Sequence, residues 1–168
     1  MKKILLIICI CAAYASFAQT SDEHFKFMGI PIDGTPQEFG EKLQQKGFEY
    51  VAAYDKEEHF MYKGYFAGTS CYIGIQSYEN PVNSVIILFN IQDSLHQLFH
   101  DKLKKDLSEK YGEARVSKVE DGKGITNFST FSTKNGDILL FMFNGQVRLV
   151  YRDISNFKSR EDRIKGEL

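Results

Sequence analysis

The chain has 168 residues, of which 26% are charged and 43% hydrophobic, and its formal net charge is −1. That balance suits one globular domain with a real core. It excludes a polybasic binder of nucleic acid or of anionic membrane.

Lys2 and Lys3 precede an unbroken apolar run from Ile4 to Ala13, and Ser16-Phe17-Ala18 offers small residues where a signal peptidase reads. This order predicts a secretory signal peptide over residues 1–18, cleaved after Ala18, and hence a periplasmic or secreted protein. The run is shorter than the roughly 20 residues that span a bilayer, and no second apolar run follows, so no stable membrane insertion is expected. Cys9 and Cys11 raise lipid attachment as a rival reading. Ile8 and Ile10 stand where small residues would be required, so cleavage is preferred.

Removal of this segment leaves 150 residues and, because it holds two lysines and no acid, a formal charge of −3. Cys71 is then the single cysteine, so no disulfide can form within the chain. Cys71, Ile73 and Ile75 alternate along a strand-like stretch, which places the thiol in the core rather than in chemistry.

Residues 19–24 are polar and read as loose, and Phe25-Lys26-Phe27 as a short first strand. Ile30 to Gly34 reads as a loop, punctuated by Pro31 and Gly34. The first helix is marked by Thr35 as N-cap, Pro36 at the first helical position and Glu38 completing a capping box. Phe39 and Leu43 share its apolar face, and Gly47 fits its C-terminal stop. Four strand-like runs follow: Phe48 to Tyr54, Phe60 to Phe66 after the Asp55–Glu58 turn, Thr69 to Gln76, and Ser84 to Phe89 after an Asn80-Pro81 turn. The last is apolar on both faces and should lie centrally or be covered on both sides.

A second helix is predicted from Asp93-Ser94 to Tyr111, with Ser94 and Gln97 as a capping box and Gly112 beyond its end. Its stripe is Leu95, Leu98, Phe99, Leu103 and Leu107. Four more strands follow: Ala114 to Val119, Ile125 to Ser132, Asp137 to Phe143 and Gln146 to Arg152. Asn135-Gly136 and Asn144-Gly145 are hairpin signals of the type I′ kind. Residues 153–168 read as a charged tail or short helix.

A helix and four strands therefore occur twice, over about 35–90 and about 94–152. The fold class expected is α+β: an antiparallel sheet of two α-β-β-β-β repeats, with the helices packed on one face, in a single domain over 19–152. Such a sheet leaves its other face for water or a partner.

The stretch Phe27 to Thr35, with Phe39, Leu43, Gly47 and Phe48, resembles the opening of a group of uncharacterised exported proteins of anaerobic gut bacteria. Gly64-Tyr65-Phe66-Ala67-Gly68 and Glu109-Lys110-Tyr111-Gly112 resemble the same group. The doubled layout is similar to the β-lactamase-inhibitor-protein-like fold. That resemblance implies a concave sheet used for protein binding, and no catalytic residues.

Candidate chemistry fares poorly beside simpler readings. His96 and His100 have helical metal-ligand spacing, but Gln97 replaces the glutamate of a zinc-protease motif and no third ligand is identifiable, so a solvated helix edge is preferred. Gly122-Lys123-Gly124 lacks the rest of a phosphate loop and reads as a turn. His59 beside Glu57 and Glu58 reads as a wet turn rather than an acid–base pair. Asp93-Ser94-Leu95 resembles an O-glycosylation acceptor motif of some exported bacterial proteins, but a helix N-cap explains it. No catalytic residue, metal ligand or cofactor is assigned.

The tyrosines are the best functional hint. Tyr50, Tyr54, Tyr62, Tyr65, Tyr72 and Tyr78 lie on or beside the first-half strands. Tyrosine suits a half-wet sheet face and is enriched at interfaces, although β-propensity and packing account for many of these. Tyr62 is in phase with Phe60 and Phe66 and belongs with the core. Tyr65 and Tyr72 are out of phase with their apolar neighbours, so they lead the candidate binding residues, with Tyr50 and Tyr54 beside them. The function expected is a non-enzymatic exported binding protein that holds a protein or peptide on a tyrosine-rich sheet face. The alternatives are a carrier or sensor of a small apolar or glycan ligand, and a hydrolase with an unrecognised site. A closed aromatic pocket would favour the carrier. Convergent titratable groups in a cleft would favour the hydrolase.

Overall fold

The computed structural model describes residues 23–51, 59–77, 81–121 and 124–158. The signal segment with Cys9 and Cys11, Tyr54, the Asp55–Glu58 turn, Tyr78, Asn80, Gly122-Lys123 and residues 159–168 lie outside them.

The described chain begins with a small hairpin. Strands β1 (Lys26–Phe27) and β2 (Ile30–Pro31) pair across Met28 and Gly29, both at positive φ (51° and 81°). Helix α1 (Pro36–Gln45) starts as its sequence dictates. Thr35 N donates to Glu38 Oε2 at 2.9 Å, and Glu38 N donates to Thr35 Oγ1 at 3.2 Å. These bonds to Thr35 hold the Glu38 carboxyl below its ordinary range.

Strands β3 (Glu49–Tyr50), β4 (His59–Phe66), β5 (Thr69–Ser77) and β6 (Val82–Phe89) follow. A 3-10 turn at Asp93–Leu95 leads into helix α2 (His96–Tyr111). Strands β7 (Arg115–Asp121), β8 (Gly124–Ser132), β9 (Gly136–Phe143) and β10 (Gln146–Asp153) complete the order, and 154–158 is helical. The eight strands β3 to β10 form one antiparallel sheet in the order β3-β4-β5-β6-β10-β9-β8-β7. The fold is thus α+β. β6 and β10 meet at its centre, through pairs such as Leu149 with Ile87 and Val150 with Ile86. That position explains why the β6 sequence is apolar on both faces.

Both helices pack on the same face. Ile73, Ile75, Ile87, Leu140 and Leu149 point to it and are at most 1% exposed. α1 comes so close to β4 that a Cβ at Gly40 would overlap the Tyr62 hydroxyl. α2 sets Phe99 against Phe89, with ring centroids 4.8 Å apart, and buries Leu103 and Leu107. The N-terminal hairpin closes the same side, where Phe27 meets Tyr151 at 5.1 Å.

Several expectations need correction. The first strand run shrinks to Glu49–Tyr50 within the described residues. Ser94 caps nothing: it lies in the 3-10 turn, and α2 has Leu95 at its N-cap with no side-chain cap bond. Leu95, in that turn, is 45% exposed, and Leu98, inside α2 but out of helical phase with Phe99, Leu103 and Leu107, is 70% exposed. Asn144-Gly145 has the expected left-handed pair (51° and 74°), but so does Ala67-Gly68 (51° and 74°), which no asparagine announced. Asn135-Gly136 is different. Gly136 opens β9, its N–H donates to Thr133 Oγ1 at 3.0 Å, and a Cβ there would collide with the Arg152 carbonyl and the Phe25 ring. Glycine stands there for space, not for turn geometry. The charged tail begins one residue late, because Asp153 is the last residue of β10.

Candidate functional site

Strand alternation gives every core residue a neighbour on the opposite face, and here that face is also apolar. Two rows of paired residues cross the sheet. One runs Gly74, Ile86, Val150, Leu139, Thr130; the other runs Tyr72, Leu88, Arg148, Phe141, Phe128. With strands about 4.8 Å apart, each row is roughly 20 Å long. Ile86, Leu88, Val150, Leu139, Phe141 and Phe128 are all half-buried, shielded by one another rather than by a helix. Phe128 and Phe141 are packed with centroids 4.6 Å apart. Among the described residues, the turn at 154–158 reaches one corner of this face, where Arg152 lies 4.5 Å from the Phe157 ring centre.

The sequence candidates divide between the two faces. Tyr65 is 75% exposed and Tyr72 37% exposed, and both belong to the open face, at its β4–β5 end. Tyr50 does not join them. Its register partner is Tyr62, so it takes the helix side and packs edge-on against that ring at 5.5 Å. Tyr54 and Tyr78 lie outside the described residues. Sequence reasoning missed the larger part of the patch, the aliphatic and phenylalanine residues of β6, β8, β9 and β10. The available signal was the pair of strands, 84–89 and 137–143, that are apolar at consecutive positions.

Among the described residues, four bases lie on the open face by register, one of them Arg115, exposed at the β7 edge opposite Thr130. Lys63 Nζ lies 2.9 Å from Glu49 Oε2, which holds the ammonium protonated above its usual range. Arg152 Nη2 lies 2.8 Å from Asp137 Oδ2. Arg148, between Leu88 and Phe141, has no such partner. Its guanidinium lies 4.7 Å from the Phe143 ring centre, and its Nε is buried without a hydrogen-bond acceptor.

Other candidate chemistry resolves into structure. His96 is 8% exposed, and His100 Nδ1 lies 3.1 Å from Asp101 Oδ1. Among the described residues no group of three His, Cys, Asp or Glu side chains could hold a metal ion. His59 pairs with Gln76 in β4, while Glu57 and Glu58 lie outside the described residues. Cys71 is 1% exposed, and burial pushes its thiol up to about 11. The sequence reading also missed a fastening at the N-terminus. Residues 23 and 24 are not loose: His24 sits 3.4 Å from Asp153 and 3.5 Å from Asp33, and Phe25 N donates to the fully buried Asp153 at 2.7 Å. No local signal could reveal a contact 128 residues apart in sequence.

A cleft of about 620 Å³ opens at one end of the sheet, between the start of α2 and the β9–β10 turn. Asn90, Asp93, Gln97, Asn144 and Gln146 give it an amide-rich lining. Its aromatic residue, Phe89, is only 1% exposed and offers no stacking surface. No described helix is long and apolar enough to cross a membrane. Comparison with known proteins finds no match: no protein-family model, no curated protein and no solved structure is significantly similar to the chain.

Proposed function

We propose that this is an exported, non-enzymatic binding protein that uses the open face of its sheet to hold a protein or peptide. The observation that carries the reading is the face itself. An apolar surface of six large side chains, with tyrosines at one end, is reached among the described residues only at one corner, by the short helical turn 154–158, and contiguous apolar surface of this kind marks interaction sites. Tyr65 and Tyr72 give that end the amphipathic rim that interfaces favour. The sheet order supports a second part of the reading. Each helix precedes four strands that fill one half of the sheet, as an α-β-β-β-β duplication and a β-lactamase-inhibitor-protein-like layout require. The apolar run over residues 4–13 with its small-residue site supports export to the periplasm or beyond.

The carrier alternative has less behind it. The cleft is open and amide-lined, which suits a hydroxylated ligand such as a glycan rather than an apolar one. It has no exposed ring on which a sugar could stack.

The test is site-specific photocrosslinking in the producing cell, from positions 65 and 72 and, as a control, from Glu41 on the outer side of α1. The reading expects one protein species captured from 65 and 72 and not from 41, with capture lowered in Tyr65→Ala and Tyr72→Ala. Equal capture from all three positions, or none from the open face, overturns it.

A further inference from the structure

We propose that the open face recognises a protein segment whose apolar side chains surround one aspartate or glutamate, and that Arg148 is the residue that reads the carboxylate. This rests on the binding reading above and names the chemistry of its partner. The argument is one of unmet charge. Arg148 stands in the middle of the second apolar row, between Leu88 and Phe141. A cation in apolar surroundings is costly unless it is paired, and a buried polar atom left without a hydrogen bond adds its own desolvation cost.

Two of the other bases on this face have acid partners. Lys63 has Glu49 at 2.9 Å, and Arg152 has Asp137 at 2.8 Å. Arg148 has only the face of Phe143, at 4.7 Å, and a buried Nε with no acceptor. The nearest acid along β9, Asp137, faces Arg152 across the ladder, and Arg152 is four residues from Arg148, or about 13 Å along a strand. Nothing described in the chain therefore neutralises this guanidinium. A guanidinium over the Phe143 ring still has a donor fork of the kind that binds a carboxylate bidentately. The surrounding Leu88, Phe141 and Phe128 require that the carboxylate arrive on an otherwise apolar partner.

The experiment is selection of a random twelve-residue peptide library on the protein purified after export, followed by titration of the selected peptides. Selected peptides are expected to carry Asp or Glu flanked by aliphatic or aromatic residues. Arg148→Met should weaken them about 30-fold or more, the loss typical of breaking a desolvated charge pair. Arg148→Lys should recover only part of this loss. Replacing the peptide acid by its amide should cost as much on the parent and little more on Arg148→Met. Arg148→Met should also melt at or above the parent temperature, because it removes an unmet charge from the free protein. Peptides that bind Arg148→Met as well as the parent, yet are lost with Phe141→Thr, overturn the carboxylate inference and leave the binding face standing. Selected peptides indifferent to both substitutions, or no selected peptide at all, overturn both. A Met variant that melts well below the parent also overturns the inference, since the guanidinium would then be serving the fold.

Discussion

The two faces of the sheet are built from the same residue types and end in different states. On the helix side, Ile73, Ile87 and Leu140 reach complete burial because α1, α2 and the N-terminal hairpin close over them. On the other side, Ile86, Leu88, Leu139 and Phe141 stay half-buried, and a cation sits among them with Nε unbonded. Hydrophobic burial is non-directional, so composition alone does not separate the faces. What separates them is closure. On the helix side the buried Asp153 carboxylate accepts from the Phe25 and Asn156 amides at 2.7 and 2.9 Å, and one of the two buried side-chain atoms without a hydrogen bond among the described residues, His24 Nδ1, lies beside it. The other, Arg148 Nε, is on the open side. The first face specifies the fold, whereas the second leaves apolar surface and a cation that the proposed partner would cover.

That contrast can be broken in order of expected effect. Ile73→Ala removes a fully buried side chain and should cost about 3–4 kcal/mol, read as a fall in melting temperature of about 10 °C. A loss below about 1 kcal/mol would show that the helix side is loosely packed. Gly40→Ala forces a methyl group onto the Tyr62 hydroxyl and should cost about 2 kcal/mol in denaturant titration. The double substitution with Tyr62→Phe should recover part of that, because it removes the colliding atom.

A pH titration sharpens the same contrast. Burial raises the Cys71 thiol to about 11, so the unfolded chain ionises first as pH rises from its ordinary value of 9.0. A group whose folded form favours the protonated state contributes fully below the unfolded value and loses that contribution above it. Stability should therefore fall between about pH 9 and pH 11, by about 2 kcal/mol, and the fall should shrink in Cys71→Ala. Tyr151, also raised by burial, adds a loss of the same sign that begins higher and persists in that variant.

On the open side the order reverses, with small effects on stability and large ones on binding. Phe141→Thr keeps a β-forming residue and forfeits the packing against Phe128, so it should cost about 1 kcal/mol or less.

Much of this was legible in the chain. The capping box at Thr35, the alternation through Cys71, Ile73 and Ile75, and the Asn144-Gly145 turn are local signals, and local physics resolves them. The two-sided apolarity of residues 84–89 indicated a central strand. The rest required contacts between distant residues. Tyr50 faces the helices because Tyr62 stands opposite it. Leu95 is exposed in a 3-10 turn where a capped helix start was expected, and Leu98 is out of phase with the Phe99, Leu103 and Leu107 stripe. His24 is ordered by Asp153, at the other end of the chain. The candidate site was half legible: tyrosine phase selected Tyr65 and Tyr72, but strand order alone brings Arg148 into line with Leu88 and Phe141.

The central claim is that the open face binds and does not hold the fold, and Phe141→Thr tests it most directly when melting and in-cell crosslinking from position 72 are measured on the same variant. The account predicts a melting temperature within a few degrees of the parent and loss of the crosslinked species. A variant that unfolds, or one that keeps its fold and its crosslink unchanged, would contradict it.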